Sequence, residues 1–386
     1  MNNKVCVYAI TKNESQFVDK WYKSMKEADS IVVLDTGSTD DTVEKLRNLG
    51  VKVEVKIINP WRFDVARNES LKLVPDDCNI LISTDLDEIL EPGWADVLRN
   101  RWIEGVHERA IYKYTWSHAE DGSPRREFTY DKIHSRKWEW RAPVHELLYN
   151  TETGSNEYEY NQVLNLFDSV HLHHYPDQTK SRSSYMPLLE LRAQEYPNDH
   201  YGLIYLAHEY YYRGRYEDSI STLDKVLDNF RDRLGSVEIA SCYLFKGDDY
   251  AIMAEIAKED NIEKSNTLYD LAKDSYLQAI KIDETYIEPY LDIAKVFNAQ
   301  NDYDMAIGYI KSGLKKSYRH YTWLERDNSW GYEPWELLCL AYWYSGRKRE
   351  SIIYAAKALS YEPNNKRLQT NLKSCLNSID IAETIE

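Results

Sequence analysis

The sequence predicts two domains of different class: an α/β domain over residues 1–184 and an all-α domain of helical repeats over residues 185–386. Three observations carry that expectation. Short apolar strands alternate with helical stretches through residues 1–100. Proline, which breaks helices, is concentrated before residue 200, with only Pro289, Pro334 and Pro363 behind it. From Tyr185 onward one helical pattern recurs in register. The length of 386 residues agrees, because about 150 residues per domain gives two or three domains.

In chain order the strand and helix readings are Val5–Ile10, then Glu14–Lys26; Ile31–Leu34, then Thr39–Leu49; Val51–Ile58; and Asn79–Ser83. Unbroken apolar runs such as Ile31–Leu34 suit strands buried on both faces. Val51, Val53, Val55 and Ile57 alternate with Lys52, Glu54 and Lys56, which predicts a half-exposed strand at a wetter sheet edge. From Arg99 to Leu172, Trp-, Arg- and Tyr-rich segments punctuated by Gly and Pro read as strands and loops completing the same domain.

Behind them, Gly214-Arg-Tyr216-Glu-Asp-Ser219 aligns with Asn301-Asp-Tyr303-Asp-Met-Ala306 and with Gly346-Arg-Lys348-Arg-Glu-Ser351. Counting outward puts Leu206, Ala207 and Tyr210 in register with Ile293, Ala294 and Phe297 and with Leu338, Cys339 and Tyr342. Trp335, Ala358 and Pro363 complete the last copy, and Ser236–Asp283 reads as an irregular member with a longer first helix. These segments resemble tetratricopeptide repeats, in which small residues let paired helices approach closely.

The net charge is −16, from 48 Lys and Arg against 64 Asp and Glu, which disfavours nucleic acid and anionic lipid as partners. No apolar run approaches the roughly 20 residues of a membrane-spanning helix, and the N-terminus has no secretory-leader pattern, so the expected location is cytoplasmic. The cysteines Cys6, Cys78, Cys242, Cys339 and Cys375 are odd in number and widely spaced, as buried thiols would be.

Five segments could carry chemistry. Ile10-Thr11-Lys12-Asn13-Glu14 joins the first strand to the first helix, where α/β folds bind ligands. A buried strand delivers Asp35 to its carboxyl end ahead of Gly37, and Ser38 with Asp41 forms a capping-box pattern. In Ser83-Thr-Asp85-Leu86-Asp87-Glu88 two carboxylates lie two apart on an extended segment just past a buried strand and so face the same way; a divalent cation would relieve their repulsion. The other reading is that Asp87 and Glu88 cap a helix starting near Pro92. Trp138-Glu-Trp140-Arg-Ala-Pro143-Val144-His145-Glu146 places a charged pair after a loop proline. In Val170-His171-Leu172-His173-His174-Tyr175, strand alternation sets His171 and His173 opposite His174; a zinc site is a rival reading, but no Cys lies nearby to complete it.

Taken in order, Thr11–Glu14, Leu34-Asp35-Thr-Gly-Ser-Thr-Asp-Asp-Thr42, Phe63-Asp-Val-Ala66-Arg67-Asn68 and Asp85-Leu-Asp87 resemble glycosyltransferase family 2, inverting enzymes with a GT-A fold. The resemblance covers roughly residues 1–180, and Thr36 stands where many members carry a second Asp. It implies a Rossmann-like mixed sheet, a nucleoside-diphosphate sugar donor, UDP-linked in the leading reading, and a divalent metal, Mn2+ or Mg2+. By the same resemblance Thr11, Asn13, Glu14, Asp35 and Ser38 hold base and ribose, Arg67 reaches toward base or diphosphate, and Asp85 contacts the ribose. Asp87 and His174 bind the metal, with His171 or His173 as the alternative histidine. Glu146 is the candidate base and His145 its orienter or a metal ligand, while Lys180 and Arg182 are diphosphate clamps or plain surface charges.

The rear repeats, in a chain with 32 tyrosines, point to a peptide or protein acceptor, or else to a homodimer contact. Two rivals stand: transfer to a saccharide or cell-surface glycan, and a non-catalytic repeat scaffold with a degenerate transferase domain.

Overall fold

The structure is a computed structural model describing residues 3–119, 121–157, 159–177 and 185–377. The chain divides into two compact units, Met1–Asn198 and Asp199–Glu386.

The first unit alternates β1 (Val5–Thr11), α1 (Val18–Met25), β2 (Ser30–Asp35), α2 (Thr42–Asn48), β3 (Lys52–Val55), α3 (Phe63–Leu71), β4 (Ile80–Thr84), β5 (Glu88–Leu90) and α4 (Trp94–Arg101). It continues with β6 (Arg109–His118), β7 (Pro124–His134), β8 (Trp138–Arg141), β9 (Leu147–Asn150), β10 (Val163–Asn165), β11 (His171–His174) and α5 (Tyr185–Glu195). The main sheet runs β3-β2-β1-β4-β7-β6-β11-β5, with β10 beside β6, and β8 pairs β9 separately. The segment β3-β2-β1-β4 is parallel, while β7 runs antiparallel to β4 and β6, so the sheet is mixed. Every residue of β1 and β4 is buried, as the unbroken runs predict. The edge strand departs from its alternating pattern: β3 is only Lys52–Val55, and Val55 and Ile57, expected on its inner face, are exposed.

Trp21 of α1 is fully buried and donates its ring N–H to Thr84 Oγ1 at 3.1 Å, pinning the helix over the end of β4. His134 is a core residue. Its Nδ1 donates to the Ser135 carbonyl at 2.6 Å, its Nε2 meets the Tyr8 hydroxyl at 2.6 Å, and burial pushes it down to about 3, keeping it neutral.

The second unit pairs α6 (His200–Tyr212) with α7 (Tyr216–Phe230), α8 (Ser236–Ala257) with α9 (Ile262–Ile282), α10 (Glu288–Ala299) with α11 (Tyr303–Gly313), and α12 (Glu333–Tyr344) with α13 (Lys348–Tyr361), and ends on α14 (Lys366–Asn377). The aligned turn residues Gly214, Asn301 and Gly346 share a left-handed backbone, with φ of 73°, 63° and 81°. That conformation favours Gly and Asn, which explains their recurrence. The aligned small residues Ser219, Ala306 and Ser351 are fully buried where paired helices meet. The second pair is the irregular one, with helices of 22 and 21 residues. There Gly247 is packed so closely that a Cβ would lie 2.4 Å from Tyr276. All five cysteines are buried.

This unit carries a stability cost that depends on pH. Burial pushes Asp249 up to about 8, against the lowering effect of Ser219, and pushes Glu288 up to about 7. Both bind their protons more tightly folded than unfolded, so their contribution is favourable at low pH and is lost as pH rises from about 4 to about 8. Asp249→Asn should flatten that slope and raise the melting temperature above about pH 7. Thermal melts of this variant and the parent across that range check it; an unchanged slope would remove Asp249 as a source.

Candidate active site

Because β1, β2 and β4 are parallel, their carboxyl ends lie on one edge of the sheet, and the residues just past them assemble there. At the first two ends a hydrogen-bonded turn forms. Asp35, fully buried, accepts from the backbone N–H of Gly37 and Ser38 at 2.9 Å and from the Ser38 hydroxyl. The same hydroxyl accepts from Asn13 N–H at 2.8 Å, and Asn13 Oδ1 accepts from Thr39 N–H at 2.7 Å. Asn13 adopts φ of 54°, which Asn tolerates better than most residues. Thr11 Oγ1 donates to Glu14 at 3.0 Å. The expected Ser38–Asp41 capping box does not form. Asp40 instead accepts from Thr42 N–H at 3.1 Å, because Ser38 is already spent on Asp35 and Asn13.

At the end of β4, Asp85, Leu86 and Asp87 form a turn into β5 rather than an extended segment. The two carboxylates therefore go to different partners, not to one face as the spacing suggested. The turn is closed by Glu88, which accepts from Asp85 N–H at 2.9 Å; the helix near Pro92 starts only at Trp94, where Glu27 accepts from Gly93 N–H.

Asp85 pairs with Arg67, which lies buried on α3. Its guanidinium donates twice to Asp85 (3.0 and 3.1 Å), to Ser83 Oγ (3.0 Å) and, through Nε, to Glu146. Lys132 of β7 lies 3.5 Å from Asp85 and 4.0 Å from Glu88. Burial would raise the carboxyls of Asp85 and Glu146, but the charges of Arg67 and Lys132 outweigh it and hold both below the ordinary carboxylate range. Glu88 is pushed up by burial and accepts from the Tyr114 hydroxyl at 3.1 Å.

Asp87 faces His174. His174 Nε2 lies 3.4 Å from Asp87 Oδ2, while Nδ1 lies 3.3 Å from the Trp116 carbonyl, which can only accept. Burial would lower this imidazole, but Asp87 and then Glu88 raise it. The arrangement fits a divalent cation: Nδ1 is committed to the carbonyl, Nε2 is turned to the carboxylate, and adjacent ligands about 2.1 Å from one ion lie roughly 3 Å apart.

Glu146 reaches Arg67 from a loop held in an unusual conformation. Ala142 and His145 have φ of 81° and 49°, a strain of order 1 kcal/mol each that needs support. The Pro143 carbonyl accepts from Phe63 N–H, and the Val144 and His145 carbonyls accept from Arg192 of α5 at 2.9 and 2.6 Å. The His145 ring lies edge-on to Tyr185, with centroids 5.8 Å apart.

The structure thus gathers Asp35, Ser38, Asn13, Thr11 and Glu14 at one turn, Arg67, Asp85 and Glu146 in an ion-pair cluster, and Asp87 with His174. Lys180 and Arg182 lie outside the described residues. Two participants were not singled out from sequence. Lys132 shares the strand face of Phe128, Tyr130 and His134, a period-two signal that was available. Arg192 had no such signal, because nothing local marks which loop a helix will grip.

The parallel half of the sheet thus presents its acidic turns at the edge where open α/β sheets bind their ligands. Residues 6–158 match the family described as Glycosyl transferase family 2. Similar proteins include uncharacterised glycosyltransferases of Rickettsia conorii, 32% identical over 32% of this chain and 44% of that one, and of Rickettsia bellii, 29% identical over 34% and 45%. The chain spans less than half the length of these curated relatives. Among solved structures, a thermophilic TPR protein of Thermus thermophilus matches at 19% identity and TM-score 0.40, covering 50% of this chain and 89% of that one. MamA matches at 18% identity and TM-score 0.35, covering 50% and 99%. Among the described residues, no helix is long and apolar enough to cross a membrane.

Proposed function

We propose that the protein is a metal-dependent inverting glycosyltransferase that moves a hexosyl-type sugar from a nucleoside-diphosphate sugar, UDP-linked, to a peptide or protein acceptor docked on the helical repeats. The observation that carries this reading is the His174–Asp87 pair, oriented through the Trp116 carbonyl, at the edge where the family 2 domain gathers its acidic turns. Asp87 and His174 would hold Mn2+ or Mg2+, which would supply Lewis-acid neutralisation of charge on the departing diphosphate. The turn of Asp35, Ser38 and Asn13, with Thr11 and Glu14 beside it, receives base and ribose, and Asp85 contacts the ribose. Arg67 is a positioning residue, since its guanidinium is spent on Ser83, Asp85 and Glu146. Glu146, held ionised, takes the acceptor's proton, and His145 helps set the loop that carries it. Support for a peptide acceptor comes from the repeat unit, which exposes Tyr212, Tyr318, Tyr321, Tyr344 and Tyr361 as amphipathic contact area.

Thermal melts against nucleoside diphosphates and nucleotide sugars, with and without manganese, test the donor reading, because a ligand of the native state raises the melting temperature. A manganese-dependent shift with UDP or one UDP-sugar is expected, and Asp87→Asn should abolish it. No shift with any donor would favour the scaffold.

A further inference from the structure

We propose a second metal site, for zinc, formed by Glu91, His171 and His173 on the face of β11 opposite His174. Alternation along β11 turns His174 toward Asp87 and the other two imidazoles away from it, and Glu91, just past β5, meets them because β5 pairs antiparallel with β11. One oxygen, Glu91 Oε1, lies 3.1 Å from His171 Nδ1 and 2.9 Å from His173 Nε2. The three ligand atoms all lie within 4.8 Å of one another. Zinc bonds to nitrogen and oxygen of about 2.0–2.1 Å in tetrahedral geometry put ligands roughly 3.3 Å apart, so one ion can bridge these atoms with small adjustment.

The remaining ring nitrogens are already placed as metal-bound histidines require. His171 Nε2 lies 2.7 Å from Thr115 Oγ1 and 3.6 Å from Glu127 Oε1. His173 Nδ1 lies 3.0 Å from His118 Nε2, and the His118 ring is itself stacked on Tyr175 at 4.6 Å. Two imidazoles and one carboxylate form a donor set that zinc accepts, and with the Glu91 side chain 57% exposed, water would be the fourth ligand. Cysteine is not needed. Zinc here would tie the end of β5 to β11, the strand that presents His174 on its other face.

The test is zinc titration of the full chain, stripped with a chelator, in an Asp87→Asn/His174→Asn background that removes the other pair. One equivalent of zinc is expected to bind, and cobalt in its place should give the intense visible bands of a tetrahedral site. Adding Glu91→Gln, at an exposed position that will not disturb folding, should weaken zinc about 100-fold or more, and His171→Asn/His173→Asn should abolish binding. Zinc bound with unchanged affinity in both added variants would overturn the proposal, as would loss of all zinc in the background variant alone.

Discussion

Replacing Arg67 with methionine is expected to destabilise the first unit by about 3–5 kcal/mol, the largest stability effect of any single change at this edge. The cause is not the loss of an attractive pair as such. Two charges buried together gain little over an apolar pair of the same size, because desolvation cancels most of their attraction, whereas removing one leaves the other buried alone. Arg67 is 3% exposed and answers Glu146, whose side chain is 8% exposed, as well as both oxygens of Asp85. Lysine should not rescue, since one ammonium cannot reach Ser83, Asp85 and Glu146 at once. Lys132, in ion-pair reach of Asp85, softens the loss there and offsets only part of it at Glu146, so Arg67→Met/Glu146→Gln should be more stable than Arg67→Met alone. The sign with pH follows from the carboxyls, both held below their ordinary values: their stabilisation is present above about pH 4 and disappears as pH falls through the folded values. The gap between parent and Arg67→Met should therefore close in acid. Urea unfolding at neutral and acid pH measures it, and a loss under about 1 kcal/mol at neutral pH would mean that Glu146 finds another cation.

How much of this was legible beforehand follows from range. The strands β1, β2 and β4 were legible because a strand buried on both faces must be an unbroken apolar run, and once their ends are known Asp35, Asp85 and Asp87 fall on one edge. The repeats were legible because a left-handed turn followed by a small residue at a helix crossing leaves the same mark in each copy. Interactions between distant segments were not. Arg67 and Glu146 lie 79 residues apart, and only the β4–β7 pairing brings Lys132 to Asp85. The Asp85–Asp87 turn was misread as extended because the need to reverse into β5 comes from pairing with β11, more than 80 residues later. Likewise α5, read as the start of the repeats, falls within the first unit, where Arg192 grips the loop of Glu146.

Glu146→Gln is the change expected to hurt turnover most while leaving the fold and donor binding in place. The amide keeps the shape of the carboxylate, and its oxygen can still accept from Arg67 Nε, so the strained loop should stay seated. What it loses is the capacity to take a proton. A positioned general base contributes about 100- to 10,000-fold, so transfer should fall by that factor while the manganese-dependent shift with donor is retained. Arg67 holds the Glu146 carboxyl below its ordinary range, so as the proposed base it is ionised at neutral pH but has low proton affinity. The rate should accordingly stay flat from neutral pH down to well below the ordinary carboxylate range before it drops. If Glu146→Gln transferred sugar at the parent rate, Glu146 would be a counter-ion to Arg67 and nothing more. If it lost donor binding as well, the carboxylate would be acting through the positions of Arg67 and Asp85 instead of on the acceptor.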